Sequence, residues 1–172
     1  MAVEIDFAAH SGERDPSGAD SRTGAGDALD EAAFAGAARA VLDAVASADA
    51  ELSVTIVSDA AIAELNHRWR GKQRPTDVLS FPAGEAPRID GSPRLLGDVV
   101  ISLDTARRQA ADGGWTLLEE ATRLLLHGVL HLLGFDHEAG AAEAERMSAE
   151  ERRVVAALRA AGHPCAADDG GD

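Results

Sequence analysis

His127-Gly128-Val129-Leu130-His131-Leu132-Leu133-Gly134-Phe135-Asp136-His137 gathers three of the chain's six histidines into one short stretch. His127 and His131 are four apart. On an α-helix, at about 100° per residue, that spacing puts both on one face, one turn along the axis. They are also the only polar side chains between Leu124 and Leu133. An apolar helix that carries two imidazoles must satisfy their nitrogens, because an unpaired buried polar group costs about 1–3 kcal/mol. Histidines in or beside an ordinary core find separate partners; a shared metal ion satisfies both at once. Gly134 can take the left-handed conformation that ends a helix. The chain then turns back and brings His137 to the same point. Three neutral imidazoles converging in this way suit zinc or a similar ion.

The pattern HxxxHxxGxxH resembles the long zinc signature of the metzincin proteases, with one departure. Gly128 stands where those proteases carry the glutamate that takes a proton from the zinc-bound water. Its absence weighs against a protease of that mechanism. Three protein ligands leave a fourth position open, the mark of catalytic rather than structural zinc. Cys165 could close the site, but nothing local places it there. Zinc held by three histidines lowers the pKa of its water to about 7, so hydroxide forms without a dedicated base.

HGVLHLLGFDH resembles the HGxLHLxGxDH signature of the YbeY family of bacterial metal-dependent endoribonucleases, which act in ribosomal RNA maturation. Leu65-Asn66-His67-Arg68-Trp69-Arg70-Gly71-Lys72 is similar to the family's LNxxxRxK segment. Thr76-Asp77-Val78-Leu79-Ser80-Phe81-Pro82 matches its T[DN]VLSFP strand, and Leu96-Gly97-Asp98-Val99-Val100-Ile101-Ser102 its LGDIxIS strand. The resemblance runs in the family's order from about Ala50 to about Ala160. It implies a zinc-dependent, single-strand-preferring endoribonuclease in ribosomal RNA maturation and ribosome quality control, with one Zn2+ per chain on His127, His131 and His137. The partners it implies are single-stranded or ribosomal RNA and the ribosome or ribosomal proteins, with no DNA expected. Arg70 matches the arginine of LNxxxRxK and is the candidate catalytic residue. Whether hydroxide or the ribose 2′-oxygen attacks phosphorus, negative charge builds on the phosphoryl oxygens, and a guanidinium can bind two of them at once. Two other readings compete. One is a ribosome-associated assembly factor whose metal mainly holds the fold. The other is a metallohydrolase acting on another substrate, such as a peptide.

A length of 172 residues suits a single domain, 1–172, with a real core. One cysteine cannot form an internal disulfide. The N-terminus lacks a basic segment followed by an apolar run, and no apolar run approaches the length of a membrane span. The expectation is a soluble, cytoplasmic protein with no membrane partner. The net charge of −14 is awkward for an RNA enzyme, because phosphates recruit Lys and Arg. Its distribution is uneven. Residues 1–67 carry three Arg against thirteen acids, residues 68–108 eight basic residues against five acids, and residues 109–172 five Arg against twelve acids. The basic middle is densest at Arg68, Arg70, Lys72 and Arg74.

Along the chain, Val3 to Phe7 alternates as a half-buried strand does. Asp27 to Ser47 reads as a helix and Leu52 to Val57 as a second strand. Ser58 caps a helix in which Ile62, Leu65 and Trp69 form the apolar stripe, with His67 off it and exposed; Gly71 ends this helix. Asp77 to Phe81 is a third strand, which Pro82 places at an edge. Leu96 to Ser102 is a fourth, in which Asp98, an acid amid apolar residues, calls for a specific partner. A short helix covers Asp104 to Ala111. Thr116 to Glu119 has the form of a capping box that opens the histidine helix, with Glu119, Glu120 and Arg123 on its exposed first turns. Asp136 most simply stabilises the turn after Gly134. Ala141 to Ala161 is a final amphipathic helix, followed by a loose tail from Gly162. The expected fold class is α+β: mixed α/β layers with a mixed sheet of about four strands, covered by helices, and a central apolar helix carrying the zinc motif. Residues 9–26 have no apolar periodicity and read as a flexible insert. Deleting Ser11 to Gly24 is therefore expected to shift the melting temperature little in calorimetry, and a loss of many degrees would show that the segment packs on the domain.

Overall fold

The computed structural model describes residues 2–7, 28–84 and 92–167. In order, these contain β1 (Ala2–Phe7), α1 (Glu31–Ala44), β2 (Ala50–Val57), α2 (Asp59–Arg70), β3 (Val78–Pro82), β4 (Arg94–Ser102), α3 (Leu103–Gly113), α4 (Leu117–Leu132) and α5 (Ala141–Ala160). The four strands form one sheet in the order β1-β2-β4-β3. β1 and β2 pair in parallel, as do β2 and β4, whereas β3 runs antiparallel to β4 along the sheet edge. This is the mixed four-stranded α+β layer expected from the sequence, and Pro82 ends the edge strand, where a missing N–H is tolerated.

Strand alternation divides the apolar residues between two faces. Leu52, Val54 and Ile56 of β2, with Val99 and Ile101 of β4, enter the main core beside α1, α4 and α5. Val57, Leu79 and Val100 point the other way and meet Ile62 of α2 in a smaller cluster. Helices thus cover both faces, and α4 lies at the centre of the larger layer.

Helix ends follow local chemistry. The Ser58 side chain accepts from the Ala61 N–H, and Gly71 closes α2 at φ 68° with its N–H on the His67 carbonyl. Thr116 and Glu119 form the reciprocal capping box of α4. Asp59 ties the start of α2 to α3. Its carboxylate accepts from the Ser102 hydroxyl at 2.5 Å, the Thr105 hydroxyl at 2.7 Å and the Arg108 guanidinium at 2.8 Å. Partial burial disfavours the Asp59 charge, but these three partners outweigh it and hold the carboxyl below its ordinary value.

Four expectations need correction. Glu120 is fully buried rather than exposed, and Arg123 satisfies it with two hydrogen bonds of 2.9 and 2.6 Å while lying over the Trp115 ring. Trp69 is 65% exposed although it continues the stripe of Ile62 and Leu65. Asp98 is exposed, and its side chain has no hydrogen bond or ion pair among the described residues. The tail is not loose from Gly162: Cys165 and Ala166 are buried, the Ala166 N–H bonds to the Glu119 carbonyl, and Arg159 donates to the Cys165 carbonyl. The expected insert at residues 9–26 and the chain beyond Ala167 lie outside the described residues.

The seat of α4 on the sheet is set by Gly128. A Cβ there would stand 2.8 Å from Val99 Cγ1 and 3.1 Å from Ser80 Oγ, and the Ser80 hydroxyl donates to the Gly128 carbonyl at 3.0 Å. Alanine favours a helix by about 1 kcal/mol over glycine, but overpacking a stiff buried valine costs about 1–3 kcal/mol. Gly128→Ala is expected to lower unfolding free energy in urea, and Val99→Ala in the same chain should relieve much of that loss. Strictly additive effects of the two substitutions would show that the contact does not limit the approach.

Candidate functional site

His127 and His131 lie in the last turns of α4 and line one cleft. Their Nε2 atoms are 3.1 Å apart. The helix then ends in a Schellman turn. Gly134, at φ 91°, bonds its N–H to the His131 carbonyl, and Phe135 bonds to the Leu130 carbonyl. Asp136 supports the continuation by accepting from the Glu138 N–H at 2.8 Å, which is the turn role expected for it. The reversal brings the His137 ring to 5.3 Å from that of His127 and 5.1 Å from that of His131, centre to centre.

One nitrogen from each of the three rings lies within 4.8 Å of the others. Ligands placed tetrahedrally about 2.0–2.1 Å from a zinc ion are roughly 3.3 Å apart, so the His127–His131 pair is already near that separation. Burial disfavours a charge on His131, and His127 and His137 add their repulsion, so its pKa is lowered toward the neutral form that binds metals. His127 Nδ1 lies 2.8 Å from Glu151 Oε1 of α5, which turns Nε2 toward the cluster. The donor set fits a zinc-sized ion.

The cluster lines one side of a cleft of about 470 Å³. Arg70, Thr76, Asp77 and the Val78, Ser80 and Pro82 face of β3 line it as well. Arg70 is exposed, and no hydrogen bond or ion pair holds it among the described residues. A buried amide sets the loop behind it: Asn66 donates to the Arg74 carbonyl at 2.8 Å. Asp77 pins the start of β3 through the Val78 N–H and accepts from Gln109.

The other candidates stay apart. His67 is exposed on α2, and His163 lies beside Gly36. Cys165 is buried in the tail, its thiol pushed up to about 11, first by burial, and it does not reach the cleft. Glu151 is a site residue that the sequence does not reveal. It sits on a helix of many acids, and nothing in the spacing from His127 singles it out.

Fold and site together define an α+β protein with three clustered imidazoles and, in the same cleft, a guanidinium without a partner among the described residues. The profile of the family described as Endoribonuclease YbeY matches residues 22–159, and the chain belongs to that family. The match extends upstream of the motifs and takes in α1. A protein named Endoribonuclease YbeY from Myxococcus xanthus is 53% identical over 118 residues, which are 69% of this chain but only 40% of that protein. Proteins of the same name from Geobacter sulfurreducens and Aquifex aeolicus are 47% and 49% identical, covering 73% and 70% of this chain and 84% and 79% of theirs. The solution structure of TM1509 from Thermotoga maritima is similar in fold, with a TM-score of 0.52 and 23% identity over 99% of each chain.

Partners that orient a ligating imidazole typically contribute 10–100-fold to metal affinity. Glu151→Ala is expected to weaken zinc binding by about that factor in competition with a chelating dye, with helix content unchanged. Unaltered affinity would remove Glu151 from the site.

Proposed function

We propose that the chain is a zinc-dependent endoribonuclease that prefers single-stranded RNA and acts in ribosomal RNA maturation and ribosome quality control. It works in the cytoplasm, in contact with the ribosome or ribosomal proteins, and DNA is not an expected substrate. The observation that carries this reading is the shared cleft: three imidazoles and Arg70 line one cavity in a chain of the Endoribonuclease YbeY family.

In this reading His127, His131 and His137 hold one Zn2+. The ion supplies Lewis acidity toward phosphoryl oxygens and activates water. Glu151 fixes the tautomer of His127. Arg70 donates two parallel hydrogen bonds to the scissile phosphate and acts most strongly as charge builds toward the transition state. Arg68, Lys72 and Arg74, exposed around the end of α2, collect flanking phosphates. A peptide hydrolase is less well supported, because position 128 carries no side chain to act as a base and a Cβ there would stand 2.8 Å from Val99 Cγ1. A purely structural metal is also less well supported, because α4 is already held by the main core.

Single-turnover cleavage of a single-stranded RNA, with zinc measured on the same samples, tests this reading. His131→Ala is expected to lose both zinc and cleavage. Arg70→Ala should keep zinc and lose about 10²–10³ in rate, with partial recovery in Arg70→Lys. Arg74→Ala should mainly weaken binding and its salt dependence. Full zinc in His131→Ala refutes the ligand assignment, and wild-type cleavage by zinc-loaded Arg70→Ala refutes the role of Arg70.

A further inference from the structure

Trp69 is the largest departure between sequence pattern and structure. Four residues after Leu65 and seven after Ile62, it belongs on the buried side of α2, yet it is 65% exposed. Its only ring contact among the described residues is with Phe81, edge-to-face, with centroids 5.8 Å apart and planes at 61°. Such a contact covers a small part of the indole and steadies it. An indole held in water by one neighbour gives up most of the stabilisation that burial would bring.

Its surroundings indicate what covers it. Arg68, Arg70, Lys72 and Arg74 are all exposed, and none of their side chains has a hydrogen bond or ion pair among the described residues. No acid occurs from Arg68 to Thr76. An open aromatic ring among unpaired cations is the combination that binds single-stranded nucleic acid, with the cations on phosphates and the ring against a base. The location agrees. Ser80 and Pro82 of β3 line the cleft, and Phe81 between them points to the opposite face, where Trp69 rests on it. Arg70, the next residue in the chain, lines the cleft itself. β3 is the sheet edge, so a strand leaving the cleft passes the end of α2 onto the indole without crossing another element of the sheet.

We propose that Trp69 is a stacking platform for an unpaired base, one or two nucleotides from the phosphate held by Arg70, and that it supplies selectivity for single-stranded over duplex RNA. This rests on the endoribonuclease reading above. A base inside a duplex is already stacked on both faces and cannot lie on the indole, whereas an unpaired base of any kind can. The platform therefore selects for strandedness and not for sequence.

The test uses zinc-loaded protein and single-turnover cleavage measured against protein concentration. Three oligonucleotides of equal length serve as substrates: single-stranded, single-stranded with abasic residues flanking the cleavage point, and duplex. Trp69→Ala is expected to raise the half-saturating concentration for the intact single strand about tenfold, leave the maximal rate within about twofold, and leave binding of the abasic strand unchanged. Trp69→Phe should restore most of the loss, and the preference for single strand over duplex should shrink in Trp69→Ala. In a Trp115→Phe background, where Trp69 is the only emitter, stopped-flow mixing should show quenching by the intact strand before cleavage and little by the abasic one. Equal affinity of Trp69→Ala and wild type for the intact strand overturns the proposal while leaving the endoribonuclease reading in place. So does an equal loss on the abasic strand, or a defect seen only in association with purified ribosomal proteins, which would assign the indole to a protein partner. Failure of the wild type to bind or cleave any of the RNAs overturns both.

Discussion

α4 packs tightly on the sheet at Gly128, and the site's geometry follows from that contact. The Ser80 hydroxyl reaches the Gly128 carbonyl at 3.0 Å, and a Val99 methyl occupies the space beside the missing side chain. Any other residue would lift the helix or displace β4. With α4 so seated, a step of about 100° back or 300° onward around the helix carries His127 and His131 clear of the sheet. Their apolar neighbours Leu126, Val129 and Leu130 remain in the core. The helix is therefore buried for stability and open for chemistry, and the dividing line is one residue wide.

The opposite wall of the cleft is built from a different part of the chain and is held from both ends. At its start, α2 is fastened to α3 by the Asp59 carboxylate and by the Asp104 carboxylate, which accepts from the Asp59 N–H at 2.9 Å. At its end, the left-handed Gly71 stops the helix, and the buried Asn66 amide clamps the loop through the Arg74 carbonyl. Arg70 lies between these restraints. Its backbone is fixed while its long side chain remains free, a combination that suits a group required to close on a phosphate without loss of charge to a protein partner.

The parts of this structure legible in the sequence are those governed by chemistry within a few residues. Ser58, Gly71, the Thr116–Glu119 box and the Gly134 turn all read correctly because a cap or a left-handed residue needs only its own neighbours. The spacing of His127 and His131 belongs to the same class. Glu120 and Arg123 were misread because their exposure depends on Trp115 and the returning tail, not on their place in the helix. Gly128 was legible as an absent base but not as a packing contact, since Val99 meets it only after the sheet has formed. Glu151 carried no signal at all: the hydrogen bond to His127 exists because α5 lies across α4. Trp69 followed the helical period, but Leu65 and Ile62 fill the small second core short of it.

The charge of −14 poses the remaining difficulty for an RNA enzyme, and what bears on it is where the charges lie. On α5, Glu143, Glu145 and Glu150 are each met by an arginine of the same helix, at 2.7, 3.3 and 2.5 Å. Such exposed pairs add little stability, but they offset much of the field that those acids would project. The cations from Arg68 to Arg74 have no such partners among the described residues, so theirs is a net local charge. Among the described residues, the end of α2 is where a polyanion meets a cluster of exposed cations with no acid between Arg68 and Thr76. An acidic chain with a local cluster of cations disfavours non-specific adhesion while keeping one region attractive to phosphates, so the overall charge and an RNA substrate are compatible.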